Sequence, residues 1–446
     1  MKYAPRLMLG LTLATALAPA PVQAQDRSAY TEALLSLSQY LWDRRLSLAD
    51  WCKSNGLVRE ARSHYQFIVL NAASGDPHKA KAQANLRGDW KNKPSETDPE
   101  KWSKYREKLH DYFRELGARA WRIHVAADKA KLKKEADDWL DKTVHFYLDQ
   151  PEARAKRGEE KVEAFGWVPE VEAEQARQAV EFTEDLSAKD EDHRSWDRAW
   201  VIRSPHFLVR TTVGNREAAR TMELLEKARS VFFETLGGRM KPVEYRVGLY
   251  LFATPADIDA ARSKAAGGAA AGWGIGFFNP ETNIAYLRAG DENTLLHELT
   301  HQLAHNAMGH ETWSLLQQAD VRSDSPDNYW VMEGLAVYFG GLKIEEGKPV
   351  FRKPRNRSEL APPPMREFLG YDQGAFSKNP DLCYTVAGEL TRYLMEAEGG
   401  RRRDAFLDFV REYYLGNSTL DTLEKSLGLK IPVLEREFLA WLKASQ

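Results

Sequence analysis

The pentapeptide His297-Glu298-Leu299-Thr300-His301 constrains the fold more than any other feature of the chain. On an α-helix, residues four apart lie one turn along and about 40° round the axis, so a helix brings both imidazoles to one point. The flanking residues favour a helix independently. Asp291, Glu292, Asn293 and Thr294 offer N-capping side chains, and Leu295, Leu296, Leu299 and Leu303 make an apolar back. A catalytic zinc site needs three protein ligands and one open position for water, so a second element must supply the third ligand. Trp330-Val331-Met332-Glu333-Gly334-Leu335-Ala336 offers a carboxylate on another apolar helix. His297, His301 and Glu333 are therefore the candidate metal ligands and Zn2+ the candidate ion. Glu298 points to the side where water would stand and is the candidate general base. His305 lies about 80° round the helix from His297 and is read as a residue behind the ligands or on the surface.

The rest of the chain falls into two regions. From Ala29 to about Ala188 it is rich in Ala, Leu, Lys and Glu and reads as helices, giving an expected helical domain over 25–190. Leu48, Trp51 and Cys52 precede a break at Gly56, and Ala61, Tyr65, Ile68 and Val69 follow at helical spacing. With Pro77 this resembles the second helix of a tetratricopeptide repeat. Pro77, Ala80, Ala82 and Trp90 find an echo in Pro151, Ala153, Ala155 and Trp167. Asp89 to Pro99 reads as a polar connector, and Lys101 to Leu116 as a solvated helix over a narrow apolar stripe.

Near Trp196 the pattern changes. Phe207 to Thr211 alternates like a strand. Ala218, Met222, Leu225, Ala228 and Phe232 repeat at helical spacing up to Gly237-Gly238. Tyr245 to Phe252 is apolar on both faces, as an interior strand is. Ile275 to Phe278 and Ile284 to Leu287 read as a hairpin around Asn279-Pro280-Glu281-Thr282. After that the chain reads as helical, apart from a Pro- and Arg-rich loop at Lys353 to Pro364. The expected fold class is α+β: an all-helical, partly TPR-like domain, then a domain at 196–446 with a small twisted sheet (about 196–290) and a helical lobe (about 291–446). A metal site at the seam of those lobes would sit at the floor of a cleft.

Lys2 and Arg6, the apolar run Leu7 to Ala18, and Val22-Gln23-Ala24 have the layout of a secretory signal peptide over 1–24. The apolar run is too short to span a bilayer and runs into Pro19 and Pro21. No later stretch approaches spanning length. The expectation is export to the periplasm or the outside, with no membrane span. A formal net charge of −2 gives no reason to expect nucleic acid or an anionic membrane as partner. An oxidising compartment would permit a disulfide between Cys52 and Cys383. They fall in different expected domains, and buried free thiols are the expectation.

H-E-L-T-H followed by W-V-M-E-G-L-A resembles the gluzincins of the peptidase MA-like superfamily, which includes the thermolysin-like and aminopeptidase families. The Trp-x-x-Glu-Gly-x-Ala form is close to the aminopeptidase version. Tyr384-Thr385-Val386-Ala387, with Tyr393-Leu394 and Gly399-Gly400 beyond, resembles the aminopeptidase segment whose first tyrosine stabilises the oxyanion. The resemblance covers about Trp196 to the C-terminus. It implies a zincin-like domain in which Tyr384 joins Glu298 as a catalytic residue. The gap from His301 to Glu333 is longer than in those families. The Gly-x-Met-Glu-Asn stretch that grips a free amino terminus is missing, with Gly276-Phe277-Phe278-Asn279 near its place, so an endopeptidase is expected rather than an aminopeptidase. The long metzincin motif does not fit, since Ala304 and Ala307 occupy its Gly and third His positions.

The implied reaction is metal-assisted hydrolysis of a peptide or protein substrate. Zinc lowers the pKa of water toward ~7, Glu298 takes the proton and returns it to the leaving amine, and Tyr384 hydrogen-bonds the oxyanion. A hairpin strand, Ile275 to Phe278 or Ile284 to Leu287, could pair with an extended substrate backbone. The alternative is a catalytically silent zinc-binding or structural protein, acting as an exported peptide-binding scaffold through its helical half. The presence of Glu298 favours the enzyme, because binding alone needs no base. Zinc content and peptide turnover separate the two readings.

Overall fold

Turns and caps set most of the element boundaries in the computed structural model, which describes residues 24–92, 99–254, 256–259, 276–280, 282–307, 328–353, 361–414 and 418–444. The signal-peptide segment through Gln23, Ile275 and much of the 353–364 loop lie outside the described residues. The described chain is mostly helical with one mixed six-stranded sheet. It divides into two compact units between Glu159 and Glu160.

The first unit is helical. Its helices run Ala24–Ser54, Val58–Asn71, Pro77–Leu86, Pro99–Lys129, Lys133–Phe146 and Pro151–Lys156. Gly56, at φ +79°, makes the turn expected of it between the first two. Pro77 opens the third at N1, where Asp76 caps the backbone N–H of His78 at 2.8 Å. Leu41, Tyr65, Tyr105, Leu109, Ile123 and Trp139 are among the buried side chains. Two buried polar groups make contacts in this core: His64 Nε2 lies 2.9 Å from the Tyr105 hydroxyl, and Arg45 stacks 3.6 Å over the ring of Phe67. The sequence echo does not mark a second repeat. Pro77 and Pro151 both start helices, but Trp90 sits in a 3₁₀ turn and Trp167 in a strand.

That strand lies in the second unit, which begins at Glu160. Strands β1 (Glu159–Val162) and β2 (Gly166–Pro169) form a small sheet, and β3 (Val180–Glu181) starts the large one. They escape a periodicity reading because Glu159-Glu160-Lys161 shows no apolar face and β3 is two residues long. Gly158 and Gly166, at φ +68° and +65°, were the available turn signals.

The large sheet has the order β3-β4-β5-β6-β8-β7, with β4 Trp200–Arg203, β5 Phe207–Thr211, β6 Val247–Phe252, β7 Gly276–Asn279 and β8 Ile284–Arg288. β5, β6 and β8 are mutually parallel, while β4 and β7 run antiparallel to their neighbours. All six residues of β6 are buried, as its apolar composition requires. The helix Asn215–Leu236 buries Ala218, Met222, Leu225, Ala228 and Phe232 in the main core and ends at Gly237, φ +56°. A separate apolar cluster joins Ala164, Phe165 and Val168 to Tyr250, Phe252 and Tyr286. A Cβ at Gly248 would stand 2.4 Å from the Ala164 carbonyl, so only glycine admits this close approach. Arg210 and the Tyr250 hydroxyl both reach Glu172 Oε2 at 2.7 Å, tying the 160–180 segment to β5 and β6.

Beyond the sheet the described residues form helices and their connections, together with one missed hairpin, β9 (Leu342–Glu345) with β10 (Lys348–Phe351). Glu346 and Gly347 make its turn at φ +50° and +77°. Helices Met365–Leu369, Pro380–Gly400, Arg403–Tyr414, Leu420–Leu427 and Ile431–Ala444 follow. Cys52 and Cys383 are buried free thiols. No described helix is long and apolar enough to cross a membrane.

Candidate metal centre

The pentapeptide lies on the helix Glu292–Ala307, here called the motif helix. Asp291 caps it, accepting from the Thr294 backbone N–H and hydroxyl at 3.1 Å each. A buried polar clamp fixes its rotation against the sheet. Gln302 donates to the carbonyls of Gly248 (2.8 Å) and Asn283 (2.9 Å), and Asn306 and Asn283 exchange amide hydrogen bonds at 2.8 Å. Buried amides bonded to the sheet in this way tolerate little sliding or rotation, so the opposite face of the helix is aimed as well.

Glu333 comes from the helix Tyr329–Gly340. Asn328 precedes it at φ +73°, donates its backbone N–H to Leu369 O at 2.7 Å, and accepts from Trp330 Nε1 at 3.2 Å. Trp330 is fully buried against Phe406. Two glycines allow close helix packing. A Cβ at Gly340 would sit 3.0 Å from Asn293 O, on the motif helix. One at Gly334 would sit 2.6 Å from Ala387 O, on the helix Pro380–Gly400 that carries Tyr384.

The three expected ligands converge. His297 Nε2 and His301 Nε2 are 3.1 Å apart, and each lies 3.3 Å from Glu333 Oε2. Ligands bound tetrahedrally at 2.0–2.1 Å stand about 3.3 Å from one another, so this triangle has the dimensions of three corners of a zinc tetrahedron. No other group of three His, Cys, Asp or Glu side chains converges this way among the described residues. Glu333 Oε2 is buried and accepts no geometrically sound hydrogen bond there, which leaves its lone pairs for an ion. The donor set, two imidazoles and one carboxylate, suits zinc chemically. One feature of zinc sites is missing: His301 Nδ1 is buried without a hydrogen-bond partner among the described residues.

Electrostatics follow from this packing. Burial pulls His301 toward neutrality, but Glu333 and, more weakly, Glu298 outweigh it and raise its pKa. Burial pushes Glu333 up, yet His301 and His297 together hold it well below the usual carboxylate range. The trio therefore carries an ionised carboxylate at neutral pH.

Glu298 is outside the triangle. Its Oε2 accepts the backbone N–H of Phe278 on β7 at 2.8 Å. A Cβ at Gly276 would stand 3.4 Å from Glu298 Cγ and 3.0 Å from Thr294 Cγ2, so the glycine lets β7 lie close to the motif helix. Tyr384 is beside His297, ring centroids 5.9 Å apart, and also meets Phe376 at 5.1 Å. Burial first, then Glu333 and Glu298, raise its pKa, so its hydroxyl stays protonated and able to donate. His305 is buried behind the ligands against Phe278, ring centroids 5.2 Å apart, and does not join the triangle. Of the two strands offered for substrate pairing, β8 is closed off between β6 and β7, and β7 is the edge of the sheet among the described residues. Sequence reasoning missed Tyr329, whose hydroxyl donates to Glu333 Oε1 at 2.7 Å. The i,i+4 spacing of tyrosine and glutamate on one helix was the signal available.

No family model matches the chain, and no curated protein matches it significantly.

Proposed function

We propose that the second unit is a zinc-dependent hydrolase of peptide bonds, a gluzincin-type metallopeptidase with a zincin-like domain. The observation that carries this reading is the His297–His301–Glu333 triangle, with edges of 3.1–3.3 Å and Glu298 beside it rather than in it. When bound, zinc would acidify a water and polarise a carbonyl. Glu298 is oriented by the Phe278 N–H through one oxygen, which leaves the other to take the proton from that water and return it to the leaving amine. Tyr384 donates its hydroxyl to the developing oxyanion, and β7 offers an edge along which an extended substrate backbone can pair. The missing amino-terminus-gripping motif supports endo- rather than aminopeptidase cleavage. Export by a signal peptide over 1–24 and a TPR-like role for the helical unit complete the proposal. Glu298→Gln tests it, since the amide keeps the Phe278 contact and the ligand set but accepts no proton. Turnover of a mixed peptide library should fall by more than ~10²-fold with zinc retained. Activity within about tenfold of wild type would remove Glu298 from the reaction.

A further inference from the structure

We infer that Tyr329 is a positioning residue for the metal ligand Glu333, capping one carboxylate oxygen so that only the other faces the histidines. The inference rests on reading the triangle as a metal centre. Tyr329 and Glu333 are four apart on one helix, and the tyrosine hydroxyl donates to Oε1 at 2.7 Å. Oε2 is 3.3 Å from each imidazole Nε2. An uncapped carboxylate is free to swing and bind an ion through both oxygens. The second oxygen would then occupy the coordination position that a reacting water needs. A hydrogen bond to Oε1 opposes this, because bidentate binding would break it.

The cap is held without help from any ion. The Tyr329 ring packs edge-on against Phe376 at 5.2 Å, and Phe376 packs against Tyr384 at 5.1 Å. The backbone is fixed by Asn328, which is buried, left-handed and bonded to Leu369 O. Tyr329 is the first residue of its helix, where secondary structure alone does not call for an aromatic side chain. Phenylalanine there would keep the ring and its packing and lose only the bond to Glu333.

The test is Tyr329→Phe in the full-length protein, with three readouts: zinc affinity by chelator competition, the visible spectrum of the cobalt(II)-substituted protein, and melting of the zinc-free protein. Zinc should bind 10–100-fold more weakly than in wild type, the range seen when partners of metal ligands are removed. The cobalt spectrum should lose intensity as the coordination number rises, while the zinc-free melting temperature stays within a few degrees of wild type. Unchanged affinity with an unchanged cobalt spectrum overturns the inference. So does a fall in zinc-free melting temperature with unchanged affinity, because the hydroxyl is then structural. If wild type itself binds no stoichiometric zinc, the metal-centre reading fails, a result distinguishable from failure of the cap alone.

Discussion

Gly334→Ala probes the packing that assembles the site. A Cβ at this position would stand 2.4 Å from Thr391 Oγ1, 2.6 Å from Ala387 O and 3.0 Å from Ala387 C. The threonine hydroxyl can rotate away, but the carbonyl belongs to a helix backbone and cannot. Restoring an ordinary carbon–oxygen contact of ~3.4 Å requires the two helices to part by roughly 0.8 Å. Overpacking of this kind costs ~1–3 kcal/mol, and alanine recovers ~1 kcal/mol of helix propensity. A net loss of about 1 kcal/mol lowers the melting temperature by ~2–4 °C in a unit of this size. The effect on the site should be larger than the effect on stability. Glu333 is the preceding residue and Tyr384 rides on the other helix, so a shift approaching 1 Å misplaces both and costs ~10²-fold in turnover. Scanning calorimetry measures the first effect, and a zinc titration with peptide turnover measures the second. An equal or higher melting temperature with full zinc affinity and turnover would refute the backbone-to-backbone contact.

Tyr384→Phe should lower kcat and kcat/KM together by ~10²-fold with melting nearly unchanged, because an oxyanion hydrogen bond forms fully only in the transition state. Near-normal turnover with a lower melting temperature would make it a packing tyrosine. In the helical unit, His78 donates to Asp43 at 2.7 Å and to Asp76 at 2.8 Å, both at once only when protonated. Burial lowers its pKa, but the two carboxylates outweigh burial and raise it. Its stabilisation is therefore full below the unfolded value of ~6.5 and lost as pH rises through the folded value. His78→Gln should cost more unfolding free energy at pH 6 than at pH 9, by under ~1 kcal/mol for a partly exposed pair; equal losses at both pH values would contradict this.

The parts of the fold legible in the sequence are those where side chains state their own periodicity or punctuation. The capped motif helix, the helix ending at Gly237, and the apolar strand β6 each carry such a signal. β1 and β3 do not, because their residues are charged or too few and tertiary pairing decides their state. The β9–β10 hairpin was readable from Glu346-Gly347 but lies within a run dominated by helical patterns. For the site, spacing named the residue types that converge, since i,i+4 geometry is fixed by the helix. It gave no view of what aims them. The Gln302–Asn306 clamp, the Phe278 N–H on Glu298 and the Tyr329 cap depend on which elements meet, and helix periodicity carries no record of that.

Metal content tests the central claim most directly. The full-length protein, purified without added chelator and analysed by plasma mass spectrometry, should carry one zinc per chain. His301→Ala should carry none, because a single imidazole and a carboxylate hold zinc too weakly to survive purification. Wild-type protein without zinc that also fails to take it up on titration, or full occupancy in the His301→Ala variant, would contradict the assignment of His297, His301 and Glu333 as the ligands.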